Sequence, residues 1–296
     1  ERGGEWSAYL AGTSRATAEA AAALFAGTAP APRPPVTLVD FDPEGEDKLL
    51  AAMLYPYVDL PEDQVLARVR TLSGPEREAV AAAYVGDRRN RRHKPGRGLE
   101  RLSYRFDVLS DYGAFRDLQR HRLLTIQWQA LSPRHGYDVP PDVAEAGAGA
   151  AFAEAMERSA ALYEALAPRF PESAAYAVAL GYRVRYSIEM NAREAMHMLE
   201  LRTGPAGHPS YRRVCQEMHR LIATEAGHPL VAGMMRFVDH GSTGLERLAG
   251  ERRAEARRAT RPDAGQEGGE GAAAGPSAEP LGEPSTEGSG RNLRIP

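Results

Sequence analysis

Two short runs carry the residue types that can do chemistry. Arg120-His121-Arg122 sets two guanidinium groups beside an imidazole. On a helix, consecutive side chains diverge by about 100°, so this trio can surround an anion such as a pyrophosphate, with arginine giving forked hydrogen bonds. The plainer reading is a solvated basic helix end favoured by the macrodipole. Leu131-Ser132-Pro133-Arg134 follows just past a strand, where a hydroxyl and a guanidinium suit a phosphate or a pyrimidine edge; the plainer reading is an ordinary turn. The second run is Asn191 to Arg202. Read as one helix, Asn191 and Arg202 share a face, and Arg193 and His197 share another. Met196, Met198, Leu199 and Leu201 interleave with them, so the helix is expected to be buried on most sides and to need partners for its polar groups. Simple i,i+4 pairing involving Glu194 or Glu200 is the plainer alternative.

Other candidates are weaker. Cys215 is the single cysteine, which excludes an intrachain disulfide framework and a cysteine zinc cluster; it reads as a small buried hydrophobe. His219, Glu225 and His228 do not fall on one helical face, and no metal site is expected. There is no G-x-G-x-x-G and no P-loop, so those dinucleotide and phosphate devices are excluded. The basic stretch 88–97 reads as a solvated turn that can also neutralise a phosphate. It lacks interleaved aromatic residues, and the net charge of the chain is -3, both of which argue against a nucleic-acid binder.

The elements that must position these residues follow from patterning. The chain has 296 residues, ample for a real core. No apolar run is long enough to span a membrane. The opening Glu1-Arg2-Gly3-Gly4-Glu5 does not read as a signal peptide and lacks a methionine, so a trimmed chain or part of a longer protein is expected. A reducing, cytoplasmic setting is the default. Residues 6–25 form an Ala-rich helix, followed by a Pro-rich linker, so 1–35 stands apart. The main domain, 36–261, starts with a strand at 36–41. Helices are expected at 46–54, from 61, from 73, at 111–122 and at 150–166. A long helix is expected from about Ser173 to Leu201, and others at 211–226, 230–238 and 245–258. Further strands are expected at 102–109 and 125–131. Residues 262–296 have the Gly, Glu, Ser and Pro content of a disordered tail. Strands separated by whole helices make the class α+β.

Taken together, the motifs resemble the flavin-dependent thymidylate synthase (ThyX) family: R-H-R, then S-x-R, then N-A-R with a downstream His-x-Leu-Glu-Leu-Arg, about 70 residues later. The likeness extends over most of 36–240, and Leu99 to Phe106 resembles the segment ahead of the R-H-R helix. The resemblance implies long helices packed on a small sheet. It implies FAD as cofactor, NADPH and methylenetetrahydrofolate as co-substrates, and reductive methylation of dUMP to dTMP without a cysteine nucleophile. It implies Arg120, His121, Arg122, Asn191, Arg193 and His197 as flavin-binding residues. Ser132 and Arg134 would bind the nucleotide, and Arg202 would polarise the uracil as the catalytic residue. A homotetramer with sites between subunits is also implied.

The chain departs from the family pattern on the nucleotide side. Asp117 stands where a glutamine is expected and Ala175 where an arginine is expected. Gln127-Trp128-Gln129 replaces an acidic-polar pair in a spacer two residues longer than usual. Three readings stay open: an active thymidylate synthase, a flavin-dependent methylase of another pyrimidine nucleotide, and a degenerate domain that keeps the fold.

Overall fold

In Val184-Arg185-Tyr186-Ser187-Ile188-Glu189-Met190, every second residue is apolar, and this period of two puts the apolar set on one face of a strand. The computed structural model, which describes residues 2–241 and Arg252, builds its sheet around this strand. The long helix expected from Ser173 to Leu201 is therefore corrected. It is a short helix at Pro171–Ala174, a strand at Arg183–Asn191 and a helix at Ala192–Arg202. The expected helix at 245–258 and the tail at 262–296 lie outside the described residues.

In chain order the elements are α1 (Arg2–Leu24), β1 (Val36–Phe41), α2 (Gly45–Leu54), α3 (Glu62–Val69), α4 (Gly74–Val85), β2 (Ser103–Asp111), α5 (Tyr112–Leu118), β3 (Leu124–Trp128), α6 (Pro141–Glu145), α7 (Gly149–Leu166), α8 (Pro171–Ala174), β4 (Arg183–Asn191), α9 (Ala192–Arg202), α10 (Pro209–Thr224) and α11 (Pro229–Met234). The four strands form an antiparallel sheet in the order β1-β2-β4-β3. This is the expected α+β class, helices on a small sheet.

β2 and β4 pair along their whole length, from Ser103 opposite Asn191 to Asp111 opposite Arg183. Tyr104, Phe106, Val108, Val184, Tyr186, Ile188 and Met190 face the core. The alternate residues carry charge: Arg105 bonds Glu189 at 2.8 Å and Arg185 bonds Asp107 at 2.9 Å. α10 lays Val214, Cys215, Met218, Leu221 and Ile222 against the same core, one stripe at helical spacing. Burial pushes the Cys215 thiol up to about 12, so the one cysteine is not poised as a nucleophile. α1 is exposed from Gly3 to Leu24, including Trp6 and Tyr9.

Each central strand runs directly into a helix. Asp111 caps α5 by accepting from the Ala114 amide at 2.7 Å, and Asn191 caps α9 by accepting from the Glu194 amide at 2.9 Å. α5 ends at Leu118, so Arg120-His121-Arg122 lies past its C-terminus rather than on it, which corrects the helix expected to Arg122.

His228 is fully buried with its Nδ1 against the Tyr104 hydroxyl at 2.9 Å, and His219 packs against the Ala232 carbonyl at 3.0 Å. Burial lowers the pKa of both rings. An unfolded histidine takes a proton near about pH 6.5. The folded rings hold it more weakly, so stability present above that pH is lost as pH falls toward their lowered values. A urea midpoint at about pH 5.5 is therefore expected below that at about pH 7.5; an equal or higher midpoint would contradict this account.

Candidate functional site

Because β2 and β4 are antiparallel, α5 and α9 start at opposite ends of the ladder. The end of α5 then meets the start of α9. His121 Nδ1 lies 2.8 Å from Glu194 Oε1, and His197 Nδ1 lies 3.4 Å from Glu194 Oε2. Arg202 Nε donates to His121 Nε2 at 3.0 Å, and Arg202 Nη2 donates to the Asp117 carbonyl at 2.6 Å. One hydrogen-bonded relay thus runs Arg202, His121, Glu194, His197 and joins the two sequence motifs.

The relay fixes protons. Arginine only donates, so His121 Nε2 offers its lone pair and the ring proton sits on Nδ1, where Glu194 accepts it. Burial pushes the Glu194 carboxyl up, but the hydrogen bond from His121 and the charge of His197 outweigh it, and the net shift is downward. His121, Glu194 and His197 are the one group with metal-ligand proximity among the described residues. With both ring nitrogens of His121 committed, no lone pair on that ring remains for a cation, so the group is built as a relay.

Beside the relay lies a cleft of about 360 Å³. Asn191, Arg193, Glu194 and His197 form one wall, and Arg91, Lys94, Pro95 and Arg97 the other. Gly86, at φ 66° and ψ -168°, ends α4 and turns the chain into this second wall, a conformation closed to other residues. Arg88 then anchors the loop. It is buried and pairs in bidentate fashion with Glu200 of α9 at 2.7 and 2.6 Å. From the other side, Arg193 donates to the Pro95 carbonyl at 3.0 Å and to Glu100 at 3.1 Å. The hydrogen bond from Arg97 holds the Glu100 carboxyl below its usual range.

Of the residues expected to bind flavin, Asn191, Arg193 and His197 share the cleft. His121 sits behind them in the relay. Arg120 and Arg122 are exposed; Arg120 lies 3.4 Å from Asp117. Ser132 and Arg134 are not brought to the relay. Gln129 donates to the Arg185 carbonyl and Arg183 to that of Gly136, both at 2.9 Å, which carries this segment along the end of β4 away from Asn191. The Asp117 carboxylate faces two cations, Arg120 at 3.4 Å and Arg202 at 3.9 Å. Trp128 packs on Phe115 with the rings tilted by 57°, 5.5 Å between centroids, at the sheet edge. Two features were missed from sequence: Glu194 as the hub between both motifs, and loop 88–97 as a wall of the cleft. The density of arginine in that loop was the available signal.

A sheet whose two central strands each feed a helix, with one motif just past the end of α5 and the other on α9, defines the class, a ThyX-like α+β fold. The family model for thymidylate synthase complementing protein matches residues 37–227, and the chain belongs to that family. A UPF0159 protein of Chlamydia muridarum is 38% identical over 221 residues, 75% of this chain and 41% of the relative. A UPF0159 protein of Thermoplasma acidophilum is 36% identical over 220 residues, 73% of this chain and 44% of the relative. The chain thus spans about two fifths of the length of these curated relatives. Among solved structures, the UMP/dUMP methylase PolB from Streptomyces cacaoi, bound with 5-Br dUMP, shares the fold at TM-score 0.53 and 18% identity, over 68% of this chain and 93% of that one.

Glu194→Ala leaves the buried His121 Nδ1–H without an acceptor and is expected to cost about 1–3 kcal/mol, read from denaturant midpoints. Glu194→Gln keeps an acceptor and should recover part of the loss. A neutral Glu194→Ala would remove the relay from the account.

Proposed function

We propose that this chain is a flavin- and pyrimidine-nucleotide-binding domain of the thymidylate synthase type, acting in reductive methylation of dUMP to dTMP with methylenetetrahydrofolate and NADPH. The observation that carries this reading is the relay, which ties the last arginine of the second motif to the histidine of the first and ends on a histidine facing the cleft. The residues fit a flavin: Asn191 spends its side-chain oxygen on the α9 cap and keeps its amide nitrogen as a donor. His197 is half-buried at the same wall. Hydrogen-bonding groups lining a cleft of this size suit the acceptor-rich edge of a flavin ring. When bound, the flavin supplies hydride. Arg202 commits Nε and Nη2 to hydrogen bonds within the protein; Nη1, 3.9 Å from the Asp117 carboxylate, is the nitrogen left to polarise a carbonyl of the pyrimidine and steady charge developing on it. Arg120, Arg122, Ser132 and Arg134 stand apart from the cleft of their own chain; a tetramer with sites between subunits would let them serve a neighbouring copy. The nucleotide carried by PolB supports a pyrimidine substrate. The working unit in this reading is 36–261, with 1–35 a helix and tether, in a cytoplasmic setting.

One observation favours a second reading, a domain that keeps the fold without catalysis. The Arg202 guanidinium is already engaged by His121 and the Asp117 carbonyl, lies over the Tyr211 ring at 5.5 Å, and has a carboxylate 3.9 Å away. The test is a visible absorption spectrum of the purified full chain after FAD addition and gel filtration, then dUMP titration. Retained flavin whose spectrum responds to dUMP is expected. His197→Ala should weaken flavin binding by about tenfold, and Arg202→Ala should remove the dUMP response with flavin retained. No retained flavin in a folded chain at its native oligomeric state would favour the second reading.

A further inference from the structure

We propose that loop 88–97 and the first turn of α9 form a preformed diphosphate site, with Arg91 and Lys94 as the cations that meet the phosphates. The identity of the natural ligand, a dinucleotide such as FAD, rests on the flavin reading above; the diphosphate chemistry does not.

The charge distribution is the first ground. The chain carries a net charge of -3, yet its loop 88–97 holds six arginine and lysine residues and no acid. Around the cleft, Arg88 is answered by Glu200, and Arg97 and Arg193 share Glu100. Arg91 and Lys94 line the cleft and, among the described residues, their side chains make no ion pair or hydrogen bond. Cations gathered at one cleft without countercharge repel one another, and an anion placed between them relieves that repulsion.

The second ground is rigidity. Arg88 Nε donates to the His93 carbonyl at 2.7 Å, and its Nη2 reaches the Arg91 carbonyl at 3.5 Å. Asn90 accepts from the Arg92 amide at 2.9 Å, and Pro95 is buried under Arg193. The loop turns its carbonyls inward onto a buried guanidinium, which leaves its side chains to the outside. An anion therefore meets cations already held on an ordered backbone.

The third ground is polarity along the cleft. Glu194 sits at the far wall and is a carboxylate, so phosphate is excluded from that end and directed to the loop. The ligand must then present its anionic part to Arg91 and Lys94 and an uncharged, hydrogen-bonding part to Asn191 and His197. Two separate cations, with Arg97 beside them, match two linked phosphates better than one.

The test is calorimetric titration of the full chain and of an Arg91→Gln/Lys94→Gln double variant with inorganic pyrophosphate, ADP, FAD and riboflavin. Both positions are exposed, and far-ultraviolet circular dichroism checks that the variant is folded. Pyrophosphate and ADP are expected to bind the wild type, to compete with FAD and to weaken with added salt. The double variant should lose them at least tenfold, lose FAD similarly, and leave riboflavin binding unchanged. Pyrophosphate bound by the wild type and lost in the variant, with no FAD binding to either, would uphold the diphosphate site and sink the flavin reading. Equal FAD and pyrophosphate affinity in both proteins would overturn the site while leaving the flavin reading standing. No pyrophosphate binding to the wild type, or tighter binding of a single-stranded oligonucleotide that FAD does not displace, would also overturn it.

Discussion

The Glu194 carboxylate lies buried between two imidazoles, and burial alone would neutralise it. Its charge survives because His121 donates to one oxygen and His197 stands at the other. His121 can donate there only because Arg202 takes up its second nitrogen. The geometry of the site is thus a chain of proton commitments. Each member fixes the tautomer or charge of the next, from the carbonyl of Asp117 to the wall of the cleft. A buried polar network is costly unless every member is satisfied, and here the satisfaction of one motif is supplied by the other.

What brings the motifs together is the pairing of β2 with β4. Each strand ends on a capping side chain, Asp111 or Asn191, that starts a helix at its own end of the ladder. Two strand-to-helix units set head to tail place the end of α5 against the start of α9. The same helix, α9, also holds Glu200, whose pair with Arg88 docks the basic loop. One helix therefore carries the relay on one side and the anchor of the cleft wall on the other.

Much of this was legible in residue types. The first strand, the helices after Pro61 and Ser73, the buried character of Cys215 and the two motifs follow from local pattern. The strand at β4 was legible too, through its alternation from Val184 to Met190, but the helix-forming run from Ala192 onward masked where it stopped. Glu194 and Arg88 were beyond sequence reading for a different reason. An isolated acid or base looks solvated until its partner, 73 residues away for Glu194 and 112 for Arg88, is known. Likewise, that Ser132 and Arg134 lie far along β4 from Asn191 depends on register, which composition does not carry.

That register says where the chain can change length. Shifting β4 by one residue would turn Tyr186 and Ile188 outward and bury Arg185 and Glu189, so the nine paired positions admit no insertion. The stretch between β3 and β4 holds α6, α7 and α8 around a small core of its own, Met156, Val178 and Tyr182, and supplies no member of the relay. The distance in sequence between the two motifs is therefore set by this separate core, which touches the relay's scaffold through the Leu180 and Tyr182 carbonyls that receive the first amides of α5.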